Sequence, residues 1–290
     1  MQPRFGVTVI PSASPRSDPV GEAVHAEEAG FDLVTVWDHL HGEHPSYETW
    51  TLLTWMAAST SRIGLGTNVL GLPYRAPAVV AKMAESLDRL SGGRFVLGLG
   101  AGGNDREFEG FGVPVRTPKE KIDALAEALS VIQGIWSEGS FTFQGRFYAV
   151  REAAVEPKPE RAIPVWLGTY GPRGLELVGR MADGWLPSMP YLSPAEAARR
   201  LGRIRGIAER AGRDPDALTF AYNVPVRVGG PPPEDPDRQV AGEAAAVAER
   251  LAELVRMGFT CLNLMLSGDR AAQRELLARE VLPAVRELTA

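Results

Sequence analysis

Short apolar runs alternate with segments of helical period along most of the chain. Eight of these runs have the length of strands, and most lack the polar alternation of a half-exposed sheet, which is typical of parallel strands buried on both faces. They cover residues 5–10, 33–37, 63–68, 95–99, 164–167, 184–186, 219–226 and 261–265. The alternation predicts parallel strands joined by crossover helices.

Between these runs, apolar residues recur at spacings of three and four, as on the buried face of an amphipathic helix. Pro77, Pro118 and Pro194 stand where a first helical turn tolerates a missing N–H. Gly30 and Gly258 stand where a helix ends in a left-handed residue. Eight strands with their helices predict a (β/α)8 TIM barrel, because a doubly wound sheet usually has fewer strands.

Two stretches do not fit the alternation and are predicted to be insertion segments. Residues 141–147 have the pattern of a small hairpin that turns at Gln144-Gly145, and residues 229–237 form a proline-rich loop. No stretch has the composition of a linker, so residues 1–290 are predicted to form a single barrel domain. The chain exceeds the ~250 residues of a typical barrel, and the insertions with the loop after the fourth strand account for the excess.

Composition and charge narrow the function. Lys and Arg number 31 against 36 Asp and Glu, which gives a net charge of −5 and argues against nucleic acid or an acidic membrane as partner. The one cysteine, Cys261, cannot form an internal disulfide, which favours a reducing cytoplasm. The first residues lack the regions of a signal peptide, and no apolar stretch approaches the ~20 residues that span a bilayer. A cytoplasmic location is therefore predicted.

In a barrel of this kind the site lies in the loops after the carboxyl ends of the strands. The Gly98–Gly103 segment has the G-x-G-x-x-G spacing of a dinucleotide-binding turn, but charged residues follow it where a helix would have to begin at once. The glycines therefore indicate either tight backbone packing or close approach of a flat cofactor or its phosphate.

Three of the four histidines follow the second predicted strand, in the segment from Asp38 to His44. A metal site would need further ligands from later strands, and no histidine occurs after His44, so no metal is predicted. His41 and His44 fit a solvated polar loop. His39 is closest to the strand end, and its titration range suits proton transfer near neutral pH, so it is the candidate catalytic residue.

Two further segments are candidates for cofactor binding. Glycines and polar residues interrupt the third strand before Asn68 and Val69, which indicates either a bulge beneath a planar ring or packing alone. The segment Gly168-Thr169-Tyr170-Gly171-Pro-Arg173 follows the fifth strand and precedes a helix. Free amides at the helix start and the positive Arg173 can form a phosphate cradle, and a plain strand-to-helix turn is the alternative.

Several ordered motifs together resemble the bacterial luciferase-like family of flavin and deazaflavin oxidoreductases over nearly the whole chain. The motifs include Trp37-Asp-His39, Arg62-Ile-Gly-Leu-Gly-Thr-Asn-Val69, Leu87-Asp-Arg-Leu-Ser-Gly-Gly-Arg94, Gly98-Leu-Gly-Ala-Gly-Gly-Asn104 and Pro164-Val-Trp-Leu-Gly168. The combination is most similar to the branch that uses the deazaflavin coenzyme F-420 and includes methylene-tetrahydromethanopterin reductase. The resemblance implies an eight-stranded luciferase-like TIM barrel that binds F-420, or FMN, at its carboxyl end.

The resemblance also implies roles for particular residues. Asn68-Val69 would be a non-prolyl cis peptide that forms a bulge under the ring. Cofactor contacts are implied for Gly100, Gly102, Gly103 and Asn104, and phosphate contacts for Gly168, Thr169, Tyr170, Gly171 and Arg173. The family's sugar-phosphate dehydrogenases carry a glutamate in the loop after the fourth strand, where this chain has Gly103 and Asn104. That departure disfavours a sugar phosphate and leaves no obvious general acid besides His39.

The predicted function is hydride transfer between coenzyme F-420 and a small organic substrate. Two alternatives stay open: an FMN-dependent monooxygenase that takes reduced flavin from a partner reductase and reacts with oxygen, and a flavin-binding protein without catalysis. The family often dimerises through its second and third helices, so a homodimer is expected, with Trp50, Trp55 and Met83 serving either the interface or the core.

Overall fold

A computed structural model describes residues 2–290 and contains a closed barrel of eight parallel strands. Each strand pairs with the next along the chain, and the eighth pairs with both the seventh and the first. The strands are β1 (Arg4–Val9), β2 (Leu33–Val36), β3 (Gly64–Thr67), β4 (Phe95–Gly100), β5 (Val165–Leu167), β6 (Gly184–Trp185), β7 (Thr219–Val228) and β8 (Cys261–Leu266). The predicted (β/α)8 barrel is confirmed, and every strand lies within two residues of its predicted bounds.

Helices surround the barrel and connect its strands. They are α1 (Pro19–Glu28), α2 (Thr49–Ser59), α3 (Pro77–Leu90), α4 (Asp105–Gly110), α5 (Pro118–Ser137), α6 (Pro172–Met181), α7 (Pro194–Arg210), α8 (Ala244–Arg256), α9 (Arg270–Leu276) and α10 (Leu282–Leu288), with a π-helical segment at Leu277–Val281. The predicted starts at Pro77, Pro118 and Pro194 are confirmed. Gly30 and Gly258 have φ angles of +82° and +106°, as a left-handed helix end requires.

The structure corrects one expectation about the glycine-rich turn after β4. A short helix, α4, does begin directly after this turn, at Asp105. Its first turn carries Asp105 and Glu107, so its amino terminus already faces negative charge from its own side chains, which disfavours a pyrophosphate there. The reason for rejecting a dinucleotide-binding turn is therefore the charge of this helix and not its absence.

Both predicted insertions lie outside the barrel. The strands Phe141–Gln144 and Ala149–Ala153 form an antiparallel hairpin, connected through residues 145–148. Residues 229–237 form a loop without helix or strand, and the short strand Val240–Gly242 that follows pairs with the end of β7. Two short elements connect β3 to α3. They are a two-residue strand, Leu70–Gly71, and a single 3-10 turn, Leu72–Tyr74.

The barrel strands contribute both an apolar cluster and a set of buried polar side chains, which we call the polar layer. One cluster of buried apolar side chains comes from the barrel strands and the residue that follows β6: Leu33, Val96, Trp166, Leu186, Ala221 and Cys261. The polar layer consists of Thr8, Thr35, Asn223 and Asn263, all of which are buried. A barrel interior is usually filled by branched apolar residues. Buried polar side chains on β1, β2, β7 and β8 are therefore a departure from such a core.

Candidate active site

The peptide bond between Asn68 and Val69 is cis, directly after β3. The carboxamide of Asn68 faces that of Asn223 on β7 in a reciprocal pair. Asn68 Nδ2 donates to Asn223 Oδ1 at 2.8 Å, and Asn223 Nδ2 donates to Asn68 Oδ1 at 3.0 Å. The cis peptide bond that the resemblance implied is thus present, and a side chain from the opposite side of the barrel pairs with Asn68. We call this Asn68-Val69 segment the bulge.

Further hydrogen bonds fix this amide pair from below. Asn263 Nδ2 donates to Asn223 Oδ1 at 2.6 Å and to Thr8 Oγ1 at 2.8 Å. Thr35 Oγ1 donates to Asn263 Oδ1 at 3.1 Å, and Asn223 Nδ2 also reaches Ser188 Oγ at 2.9 Å. A buried polar network in which every member has a partner is rigid, so the bulge rests on a fixed base.

The side chain of Val69 occupies the space that glycines leave free on two neighbouring strands. A Cβ atom at Gly100 would lie 2.5 Å from Val69 Cγ2, and one at Gly168 would lie 2.9 Å from Val69 Cγ1. Both distances are shorter than real Cβ contacts allow. Gly100 and Gly168 were predicted as cofactor contacts, and the structure gives both a packing role beside Val69.

The loop after β4 contains one glycine that is packed and one that is open. Gly102 has a φ of +93°, and a Cβ there would lie 2.6 Å from the ring of Phe108. Gly103 has nothing within 4 Å of an added Cβ, so its backbone is accessible to a ligand. Asn104 turns back to the protein, because its Nδ2 donates to Glu107 Oε1 at 2.8 Å.

Glu107 on α4 brings three loops together and was missed from the sequence. Its Oε1 lies 2.8 Å from His39 Nδ1, and its Oε2 accepts a hydrogen bond from the Tyr74 hydroxyl at 3.2 Å. The Glu107 side chain is 8% exposed, whereas that of His39 is 61% exposed. The sequence left His39 without an evident partner, and the structure places this buried carboxylate beside it. The one available signal was the position of Glu107 three residues beyond Asn104.

The ionisation of Tyr74 follows from its position. Burial raises the pKa of Tyr74, and the neighbouring carboxylate of Glu107 raises it further. The phenol is therefore protonated at neutral pH and donates to Glu107. Because a carboxylate can only accept hydrogen bonds, it orients the His39 ring with Nδ1–H toward itself and leaves Nε2 as the free ring nitrogen.

A buried ion pair next to this group holds the loops after β2 and β3. Asp38 is buried and accepts hydrogen bonds from the Gly71 N–H at 2.9 Å and from both guanidinium nitrogens of Arg75, at 2.7 and 3.1 Å. Arg75 also pairs with Glu48. Burial raises the pKa of Glu48. The hydrogen bonds that its carboxylate accepts from Thr51, Trp50 and Arg75 outweigh this effect and hold the pKa below its usual value.

The segment after β5 leads into an uncapped helix, but the predicted phosphate cation, Arg173, is engaged in an ion pair. Gly171 precedes α6, no side chain caps this helix, and an added Cβ at Gly171 would meet nothing within 4 Å. The N–H groups of the first turn of α6 are therefore available to an anion. Arg173, in contrast, pairs with Asp123 on α5.

Thr169 and Tyr170 are held by the protein in the same loop. The carbonyl oxygen of Thr169 accepts a hydrogen bond from Trp185 Nε1 at 2.8 Å. The Tyr170 hydroxyl accepts from the Ser188 N–H at 3.2 Å, which connects this loop to the polar layer through Ser188. The loop is thus a fixed element at the same end of the barrel as the Asn68-Val69 bulge.

The other histidines of the His39 segment do not join the site. His41 and His44 are exposed, and the His41 ring packs edge-on against Phe111 with centroids 6.4 Å apart. Among residues 2–290, no three His, Cys, Asp or Glu side chains are grouped in a way that could hold a metal ion. Within the same residues, no helix has the length and apolar content needed to cross a membrane.

The structure thus combines an α/β barrel with a cis peptide bond after β3 and a histidine–carboxylate pair at the carboxyl end of the strands. The family model described as luciferase-like monooxygenase matches residues 4–236. The chain belongs to this family, and it is an oxidoreductase of the luciferase-like class.

Relatives and solved structures agree with this membership. The chain is 38% identical over 171 residues to an F420-dependent glucose-6-phosphate dehydrogenase of Kineococcus radiotolerans, with 57% of this chain and 50% of that relative covered. It is 31% identical to a protein of the same name from Beutenbergia cavernae, with 93% of each covered. A solved F420-dependent secondary alcohol dehydrogenase, 21% identical, has a TM-score of 0.87 over 98% of this chain and 99% of its own and shows the shared fold.

Proposed function

We propose that this protein transfers a hydride between coenzyme F-420 and a small organic substrate with a hydroxyl or carbonyl group. The observation that carries the proposal is the His39–Glu107 pair, which lies at the same end of the barrel as the Asn68-Val69 bulge. Relatives named as F420-dependent enzymes support the choice of cofactor.

The residues present fit a phosphate-bearing flavin-type cofactor. Open backbone at Gly103 and Gly171 allows close approach, and the uncapped start of α6 offers N–H donors to a phosphate. Bound there, the deazaflavin would supply hydride chemistry that no protein side chain has. Asn68 and Val69 would support the ring, and the Asn68–Asn223 pair would keep that support in place.

His39 and Glu107 supply the proton transfer that accompanies hydride transfer at an oxygen-bearing carbon. His39 Nε2 accepts a proton from a substrate hydroxyl, or returns one to a carbonyl oxygen in the reverse direction. Glu107 holds Nδ1–H and stabilises the imidazolium that forms, as a carboxylate does for a catalytic histidine elsewhere. Tyr74 donates to Glu107 and fixes its second oxygen.

Glu107 also bears on the substrate class. A sugar phosphate was disfavoured because Gly103 and Asn104 stand where the family's sugar-phosphate dehydrogenases carry a glutamate, and that departure remains. Glu107 supplies a carboxylate three residues further on, in α4. A panel of glucose 6-phosphate, simple secondary alcohols and their ketones therefore tests the proposed chemistry. Reduction or oxidation of F-420 is followed at its absorbance maximum under anaerobic conditions.

Anaerobic titration of the apoprotein with F-420 and with FMN tests the cofactor. We expect saturable binding of F-420. Binding of FMN alone, with turnover that requires oxygen and a reductase, would overturn the proposal in favour of a monooxygenase, the function that the description of the family model favours. A flavin reductase partner is proposed only in that second case.

For the assembly we propose a homodimer formed through α2 and α3. The side chains of Trp55 and Val79 on these helices are 68% and 53% exposed, whereas Trp50 is buried. Paired apolar surface of this kind is typical of a subunit interface. Light scattering of the wild type and of Trp55→Glu tests this, because a charge at the interface should give monomers.

A cytoplasmic location is part of the same proposal. Burial raises the pKa of the Cys261 thiol to about 11, so the thiol is protonated at neutral pH. A reducing compartment suits an enzyme whose one cysteine has no disulfide partner. Fractionation of the native host with a cytoplasmic marker enzyme tests the location.

A further inference from the structure

A groove of about 410 Å³ borders the loop that is proposed to hold the cofactor phosphate. One wall is this loop and the start of α6, with Tyr170, Gly171 and Pro172. The opposite wall is the first half of α7 and carries Arg199, Arg200 and Arg203. The groove therefore lies between the loop where the phosphate would bind and the α7 residues from Glu196 to Arg203.

The arginines lie on one face of α7 because of their spacing. Residues three, four and seven positions apart project from the same side of a helix. Glu196, Arg199, Arg200 and Arg203 follow this spacing and all line the groove. Three positive groups thus face the groove with one negative group, in a chain whose net charge is −5.

The three arginines differ in how firmly the protein holds them. Arg200 is fixed, because it donates to the Tyr170 carbonyl oxygen at 2.6 Å and to Glu196 at 2.7 Å. Arg199 shares the same Glu196 and is 70% exposed. Arg203 is exposed and has no ion pair or side-chain hydrogen bond within residues 2–290. The groove therefore has positive charge that the described part of the protein does not neutralise.

Arg173 is not the main source of positive charge for binding an anion beside Gly171. It was the predicted phosphate cation, but it pairs with Asp123 on the α5 side of the loop. The exposed cations beside Gly171 come instead from α7. Guanidinium groups bind carboxylates and phosphates through paired N–H donors, so this wall suits a ligand with several anionic groups.

We propose that the groove binds the carboxylates of the cofactor chain that extends beyond the phosphate. This inference rests on the proposed use of F-420, which continues past its phosphate into a chain of glutamates, whereas FMN ends at its phosphate. Arg199 and Arg203 form salt bridges with these carboxylates. Arg200 fixes the loop that borders the groove, where the glutamate chain of the cofactor enters it. The groove thereby favours F-420 over FMN.

Binding titrations of wild type, Arg203→Ala and Arg199→Ala/Arg203→Ala test the proposal by the change in deazaflavin fluorescence. Each is titrated with F-420 and with F-420 from which the glutamates have been removed. An exposed ion pair contributes up to about 1 kcal/mol, so we expect Kd for F-420 to rise about two- to fivefold in the single variant and further in the double variant. Kd for the glutamate-free form should not change. The difference should diminish at high salt.

Arg205→Ala is the matched control, because Arg205 lies on the same helix but pairs with Asp216 instead of lining the groove. It should leave both dissociation constants unchanged. An equal loss for both cofactor forms would overturn the proposal, since the arginines would then act on the phosphate. No loss for either form would also overturn it. If the wild type binds neither form, the proposed F-420 function itself fails. That result differs from a failure of this inference, in which the wild type and the variants bind both forms of F-420 but show no difference specific to the glutamates.

Discussion

Glu107 Oε1 lies 2.8 Å from His39 Nδ1, although the two residues are 68 positions apart in the chain. The loop after β2 carries the histidine, and α4 after β4 carries the buried carboxylate. The exposed imidazole is thus oriented by a group that is itself shielded from water. This geometry distinguishes His39 from His41 and His44, which follow the same strand but have no such partner in the described residues.

Glu107→Gln tests this relationship. The amide retains the shape of the side chain but cannot stabilise a positive imidazolium, so kcat should fall by about a hundredfold while cofactor binding is retained. The pH profile of kcat should change as well, since the charge beside His39 is removed. Asp105→Asn on the same helix is the control, because Asp105 is exposed and pairs with Lys121. A kcat within twofold of the wild type in Glu107→Gln would contradict the proposed role.

Gly100→Ala tests the packing of the bulge. The added Cβ would lie 2.5 Å from Val69 Cγ2, and overpacking of this kind costs about 1–3 kcal/mol of unfolding free energy. Shortening Val69 in the double variant Gly100→Ala/Val69→Ala should recover part of this loss. Urea denaturation of the four proteins gives the coupling energy. If the two substitutions change the unfolding free energy additively, then Gly100 does not make room for Val69.

Asn223→Ala tests the network that holds the bulge. It removes the partners of the Asn68 and Asn263 amides in a buried site, where each unpaired polar group costs about 1–3 kcal/mol. We expect a loss of stability in that range and weaker F-420 binding. Ser188→Ala removes one hydrogen bond from the same network and should cost less. Equal stability losses in the two variants would argue against a special role of Asn223.

Glu27 gives the stability of this protein a defined dependence on pH. Burial raises its pKa, but hydrogen bonds from the N–H groups of Ile63, Arg62 and Ser61 outweigh this and lower the pKa from 4.5 to about 2. The folded state therefore favours the carboxylate. Its stabilisation is fully present above about pH 4.5 and is lost as the pH falls toward 2.

Glu27→Gln should therefore lower the unfolding free energy by about 1 kcal/mol at pH 7, after allowance for solvent screening at this partly exposed site. The difference from the wild type should shrink as the pH falls from 4.5 toward 2. Urea denaturation at several pH values measures it. Glu28→Gln, at the exposed neighbouring position, should show little difference at any pH. A difference that is constant with pH would contradict the assignment.

The sequence determined the barrel because the pattern of apolar residues reports which positions of each strand and helix are buried. This pattern repeats along the chain. The strand from residue 63 to 68 and the helix that begins at Pro77 were predictable because their signals are local. The motif resemblance likewise indicated the cis bond at Asn68-Val69. Gly100 was recognised as special, but the sequence could not show that it makes room for Val69.

Only the tertiary structure decided which polar residues meet. From the sequence, Glu107 could not be distinguished from the other charged residues near it, because its partners, His39 and Tyr74, follow other strands. Arg173 had the right position for a phosphate contact, but Asp123 from α5 pairs with it. Contacts across a closed barrel depend on the register of distant strands, so the charge and orientation of a side chain there are fixed by neighbours that local sequence does not reveal.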